Sequence, residues 1–101
     1  MTVGFLEVAQ QELDEAIIHY DGESPGLGNA FLLETLAAIE RIRRFPDAWH
    51  PLGNEFRRCR LRRFPYGLIY AQTEGDILIL AIAHTRREPG YWRDRIKPQA
   101  P

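Results

Sequence analysis

The sequence predicts an α+β fold: a short N-terminal strand and an antiparallel helical hairpin packed on a small, mostly antiparallel β-sheet. Three observations carry that class. Ala9, Leu13, Ala16, Ile17 and Tyr20 recur at i, i+4, i+7, i+8 and i+11, the apolar stripe of one helix face. A second helical stripe runs from Phe31 to Phe45. From Phe56 onward the period drops to two, and Ile77 to Ala83 is an almost continuous apolar run of the kind that fills a central strand.

At the start of the chain, Val3 and Phe5 alternate with small residues and predict a short edge strand. The first helix then turns Gln11, Glu12, Asp14 and Glu15 toward water and ends at Asp21-Gly22. Ser24-Pro25 reads as an N-cap followed by proline at the first position of a second helix. In that helix Phe31, Ala38, Ile39, Ile42 and Phe45 share one side, with Leu32 and Leu36 widening the stripe. Phe45-Pro46 stops it, because the residue before a proline is pushed out of the helical region. Two helices joined by so short a turn make an αα-hairpin.

Phe56 to Arg63 alternates Cys59 and Leu61 with Arg58, Arg60 and Arg62, which predicts a half-buried strand with an arginine-lined outer face. Phe64-Pro65-Tyr66-Gly67 is a turn into the strand Leu68 to Ala71, and Glu74-Gly75-Asp76 is a second turn. The segment from Arg86 to Arg95 is polar and aromatic, and Pro89-Gly90 breaks any long helix there. The core expected between hairpin and sheet is Phe31, Ile39, Ile42, Leu61, Ile79 and Ala81.

A chain of 101 residues, 45% apolar and 27% charged, has the composition of one globular domain, residues 1–101. No apolar run approaches the roughly 20 residues of a membrane span. Met1 to Phe5 shows neither a basic n-region nor an apolar h-region, so the expectation is a soluble, cytoplasmic domain with no membrane partner. The single cysteine, Cys59, gives no disulfide framework and no multi-cysteine zinc site. His19, His50 and His84 are scattered, so no metal and no cofactor is expected.

The net charge of −1 conceals a segregation. Residues 1–40 hold eight acids and no lysine or arginine, whereas residues 41–101 hold all 13 cations against six acids, so the two parts carry −8 and +7. Lys97 is the only lysine among the 13. Arginine presents a planar fork of donors suited to phosphates and carboxylates. The asymmetry points to a basic face and an anionic partner.

The phrases Gly28-Asn29-Ala30-Phe31-Leu32, Phe45-Pro46 and Arg63-Phe64-Pro65-Tyr66 with Ile69-Tyr70, then Ala83-His84-Thr85-Arg86-Arg87-Glu88-Pro89-Gly90-Tyr91-Trp92, follow one another over nearly the whole chain. In that order they resemble the RelE/ParE superfamily of type II toxin–antitoxin toxins, the plasmid stabilisation proteins. The resemblance implies a toxin neutralised by a cognate antitoxin whose acidic or amphipathic segment wraps it. It also implies one of two targets: DNA gyrase, as in ParE-like members, or the ribosome with its mRNA, as in RelE-like endoribonucleases.

The nuclease branch uses sheet-face cations and a C-terminal acid/base, without a metal. Such cations stabilise charge on the scissile phosphate while the acid/base assists 2′-OH attack. Residue by residue, the resemblance places Arg58 and Arg60 at the basic pair, Arg87 at the arginine after the last strand and Tyr91 at the terminal tyrosine, with His84 a weaker candidate. The position after the turn aromatic, an arginine in those members, is Gly67 here, and glycine contacts no phosphate through a side chain. His84-Thr85-Arg86-Arg87 looks more ParE-like. The preferred reading is therefore a gyrase-inhibitor type of toxin that works by binding, ahead of an endoribonuclease and ahead of an inactive antitoxin-binding relic.

The residues expected to meet antitoxin or target are Arg58, Arg60 and Arg62, from the cluster Arg57, Arg58, Arg60, Arg62 and Arg63, together with Arg86 and Arg87. The competing reading of that cluster is a solvated sheet face, or one that pairs with the acidic first helix. Tyr66 and Tyr70 are expected in or beside the core, and Tyr91 and Trp92 to tie the C-terminal segment to the sheet. Cys59, alternating with the arginines, points inward as a small buried hydrophobe.

Overall fold

The computed structural model describes residues 1–96; Lys97 lies outside the described residues. The elements are β1 (Val3–Phe5), α1 (Glu7–Glu23), α2 (Leu27–Arg44), β2 (His50–Pro51), β3 (Phe56–Arg60), β4 (Tyr66–Thr73) and β5 (Asp76–His84), followed by a 3-10 turn at Arg93–Arg95. They make one five-stranded sheet in the order β1-β5-β4-β3-β2. β1 runs parallel to β5, and the other neighbours are antiparallel. The α+β class read from the sequence is the observed one.

The hairpin covers one sheet face. Phe31, Ala38 and Ile42 of α2 and Ala9, Leu13 and Ala16 of α1 are buried against Cys59, Leu61, Leu68, Tyr70, Ile77, Ile79 and Ile82. The helices cross closely at Gly28, where a Cβ would lie 2.5 Å from the Ile17 carbonyl oxygen. Tyr20, Phe31, Phe64 and Tyr66 form an aromatic cluster at the same end, with centroids 4.8–5.3 Å apart for the Tyr20–Phe31, Tyr20–Phe64, Phe31–Phe64 and Phe31–Tyr66 pairs.

Several local expectations are corrected. α1 continues through Asp21-Gly22 to Glu23, and Ser24-Pro25 forms the turn. The N-cap of α2 is Gly26, at φ 89°, not Ser24, and its backbone N–H donates to Asp21 Oδ1 at 3.0 Å. Ser24 instead accepts the Leu27 N–H through its carbonyl at 3.0 Å. Leu36 and Phe45 do not join the core stripe: they are 50% and 58% exposed. Ile39 is half-buried and packs at the core's margin.

β3 ends at Arg60, three residues earlier than the alternation predicts. The Glu34 carboxylate explains this, because its Oε1 accepts the backbone N–H groups of both Arg62 and Arg63 and bends the chain off the sheet. β4 begins at Tyr66, so the turn is shorter than expected.

The apolar run of β5 is divided between cores on the two sheet faces, and its pairing with β4 slips between Ile69 and Tyr70, which face Ala81 and Ile79. The extra residue, Leu80, resets the alternation. Ile79 and Ile82 therefore face the hairpin, whereas Ala81 joins Ile69, Ala71, Leu80 and Trp92 in a second cluster. Ala81 is buried as expected, but in that second cluster and not beneath the helices. The roof of the second cluster is the strap Arg86–Ile96, anchored by Trp92, which is 4% exposed and stands edge-on to Phe56 at 4.8 Å.

Candidate functional site

Strand alternation decides which arginines of the cluster share a face. In β3, Arg57 lies opposite Tyr70 and Cys59 opposite Leu68, both core residues of the hairpin side. Arg57 donates Nη1 to the Trp49 carbonyl at 2.8 Å, so it works as a structural tie. Arg58 and Arg60 lie opposite Ile69 and Gly67, on the face that the strap partly covers.

Arg62 does not continue the row, contrary to the expectation of three arginines on one strand face. It follows the end of β3, and its backbone N–H donates to the Glu34 carboxylate. Arg63 stacks over Phe64 at 5.7 Å. Burial pushes the Cys59 thiol up in pKa, against the pull of Arg41, so the thiolate is disfavoured.

Gly67 has a specific structural role. A Cβ there would meet Arg58 Cγ at 3.0 Å and Cδ at 3.2 Å, so the Arg58 stem lies across the glycine. The space that a longer residue would take belongs to Arg58. The guanidinium is half-buried, its Nε is shielded from solvent without a hydrogen-bond partner, and burial together with neighbouring Arg60 lowers its pKa.

Arg58, Arg60, Gly67, Ile69 and Ala83 line a cleft of about 170 Å³, closed by the strap through Arg87, Tyr91, Trp92 and Arg93. Arg87 lies over the Tyr91 ring at 3.9 Å and Arg93 over Trp92 at 4.8 Å. Cation–π contacts of this kind hold guanidinium groups in place without neutralising them.

The other residues singled out have defined partners. His84 ends β5, packs edge-on against Tyr66 at 4.9 Å, and accepts the Arg86 N–H at Nδ1 at 2.9 Å. It holds the turn into the strap. Tyr70 is fully buried and donates its hydroxyl to the Pro46 carbonyl. Tyr91 donates its hydroxyl to Glu12 Oε2 at 2.8 Å, and burial together with that carboxylate pushes its pKa up to about 12.

Glu12 is the residue that sequence reasoning missed. It does not face water. Its carboxylate accepts the Ile82 N–H at 3.0 Å, the Tyr91 hydroxyl and both terminal nitrogens of Arg95. Arg95 also donates to the Leu80 carbonyl at 2.9 Å, so the pair satisfies backbone groups of β5 beyond the end of β1. Glu12 stands three residues after Ala9 and four before Ala16, on the margin of the buried stripe, and that spacing was the available signal. Among the described residues no three His, Cys, Asp or Glu side chains converge on a point where a metal ion would sit.

Comparison with known proteins adds three findings. Residues 3–89 match the family described as the ParE toxin of type II toxin–antitoxin system, parDE. Toxin ParE2 of Mycobacterium tuberculosis, in strains CDC 1551 / Oshkosh and ATCC 25618 / H37Rv, is 32% identical over 81 residues, 79% of this chain and 77% of that protein. A solved chain of the chromosomal ParDE TA system from P. aeruginosa superposes with a TM-score of 0.62 at 18% identity, covering 83% of this chain and 95% of the other, which is a likeness of fold.

Proposed function

This chain belongs to the ParE family of toxins of type II toxin–antitoxin systems, and from that premise we propose that it acts by binding a macromolecular target, without hydrolytic chemistry. DNA gyrase, the target of ParE-like members, is the target proposed, which places the protein in the cytoplasm. No described helix is long and apolar enough to cross a membrane. The cognate antitoxin of the toxin–antitoxin pair docks on the arginine face, with Arg58 and Arg60 at its centre and Arg86 and Arg87 on the adjoining segment. Arg62 lies off that face and contributes at most to its edge.

The observation that carries the binder reading is the state of Tyr91. A general acid or base works best with a pKa near the operating pH. Tyr91 has its hydroxyl committed to Glu12, its ring under Arg87 and its pKa pushed up to about 12. Gly67, crossed by the Arg58 stem, supplies no cation at the position where the nuclease branch carries an arginine. Loss of one positioned charge-stabilising group commonly lowers rates about 10²- to 10³-fold, so an endoribonuclease built on this face would be a poor one.

The test is inducible expression of the chain with separate scoring of mRNA cleavage and DNA damage. DNA damage with intact messages supports the proposal. Cleavage of translated messages contradicts it, and growth without either lesion marks an inactive, antitoxin-binding relic.

A further inference from the structure

The cleft over Gly67 has the properties of a receptor for one small anion. Arg58, Arg60, Arg87 and Arg93 border it, and none of the four has a carboxylate within 4.0 Å among the described residues. Glu88 is the only acid along the lining; it is exposed and pairs with none of them. Arg58 is half-buried with a shielded, unpartnered Nε, and exposed Arg60, Arg87 and Arg93 add like charge beside it, an arrangement that costs free energy unless an anion compensates it. Around them Ile69, Ala83 and Trp92 supply apolar walls, which strengthen any charge–charge contact by excluding water.

Size and shape select the anion. At about 170 Å³ the cleft lies below the ~300 Å³ at which pockets for drug-sized molecules begin. A backbone phosphate carries nucleotides on both sides and needs room for both. A carboxylate ends a side chain and enters alone, and its two oxygens match the fork of a guanidinium. The strap alongside the cleft narrows the room for a threaded strand.

We infer that the cleft over Gly67 receives a single aspartate or glutamate carboxylate of the antitoxin, held by Arg58 and Arg60 and flanked by Arg87. This rests on the reading that the antitoxin docks on the arginine face. Gly67 is the positioning residue of the site, because a Cβ there would press on the Arg58 stem at 3.0 Å and shift it from its place beneath the anion.

The test is a titration of the full chain followed through the arginine Nε–Hε resonances. The probes are acetate, an acetyl-Gly-Asp-Gly amide peptide, inorganic phosphate and a ribodinucleotide. Both carboxylates should shift Arg58 and Arg60, and Arg58→Gln should weaken binding roughly 10-fold or more, the usual loss for a hydrogen bond to a charged group. Arg60→Gln should show the same trend and guards against a folding defect in the first variant. Equal carboxylate binding in both variants overturns the site, and a response to phosphate or the dinucleotide alone overturns the choice of anion.

The last arm uses the toxin–antitoxin complex. There acetate should no longer shift Arg58, because the antitoxin already occupies the cleft. An acetate response that persists in the complex overturns the assignment to the antitoxin. The docking face itself is tested separately, by complex affinity after charge reversal.

Discussion

Arg95 reaches back 83 residues to grip the Glu12 carboxylate with both terminal nitrogens, Nη1 on Oε1 at 2.7 Å and Nη2 on Oε2 at 2.8 Å. Both side chains are about 15% exposed (16% and 14%), and the same carboxylate takes the Tyr91 hydroxyl and the Ile82 N–H. This clasp fixes the strap to α1 and β5, and through the strap it shapes the cleft beside Arg58.

Removing Glu12 leaves a partly buried guanidinium, a hydroxyl and a backbone N–H without their acceptor. Breaking a buried pair from one side costs about 3 kcal/mol or more. Glu12→Ala should therefore lower the unfolding free energy by that order, and Glu12→Gln, which keeps an acceptor oxygen, by less. Chemical denaturation midpoints check this, and equal stability of both variants and parent would contradict the clasp.

Two tyrosines predict an alkaline weakness. Tyr70 and Tyr91 have pKa values raised from 10.0 to about 12, each mainly by burial. Between those values the unfolded chain releases protons that the folded one holds, so stability present below pH 10 falls as pH rises toward 12. Tyr70→Phe should flatten that part of the stability–pH curve, whatever it does to stability at neutral pH. An unchanged slope in the variant would count against the burial of this hydroxyl.

The hairpin depends on Gly28. A Cβ there lies 2.5 Å from the Ile17 carbonyl oxygen, and backbone cannot move aside cheaply. Gly28→Ala should destabilise by about 1–3 kcal/mol despite alanine's higher helix propensity. On the sheet side, Ile79 is fully buried, so Ile79→Asp should unfold the domain. Melting temperatures equal to that of the parent would refute either placement.

Charge reversal separates the arginines. Arg58→Glu/Arg60→Glu should weaken the antitoxin complex and leave the fold intact, because neither side chain makes an ion pair among the described residues. Arg57→Glu should instead perturb folding, since Arg57 ties β3 to the Trp49 carbonyl. A titration showing full affinity in the double variant would move the docking surface elsewhere.

The fold was legible because periodicity reports burial: the stripes of α1 and α2 and the alternation at Arg58, Cys59 and Arg60 each match an observed face. The errors arose where side chains from distant segments intervene. Glu34 ends β3 early by capturing two N–H groups from another element, which no alternation encodes. The slip at Leu80 moves Ala81 from the expected face to the other. Glu12 was read as solvated because its partners Tyr91 and Arg95 lie some 80 residues away. The arginine pair is legible in the alternation, but the burial of Arg58 is not, since that comes from Gly67 and the strap together.

Whether this toxin only binds its target, as proposed, or cleaves RNA is decided by 5′-end mapping of translated messages after induction. A toxin that only binds leaves 5′ ends no different from those of uninduced cells, together with DNA damage. New ends at A-site codons that vanish with Arg58→Ala or Arg87→Ala would contradict the proposal.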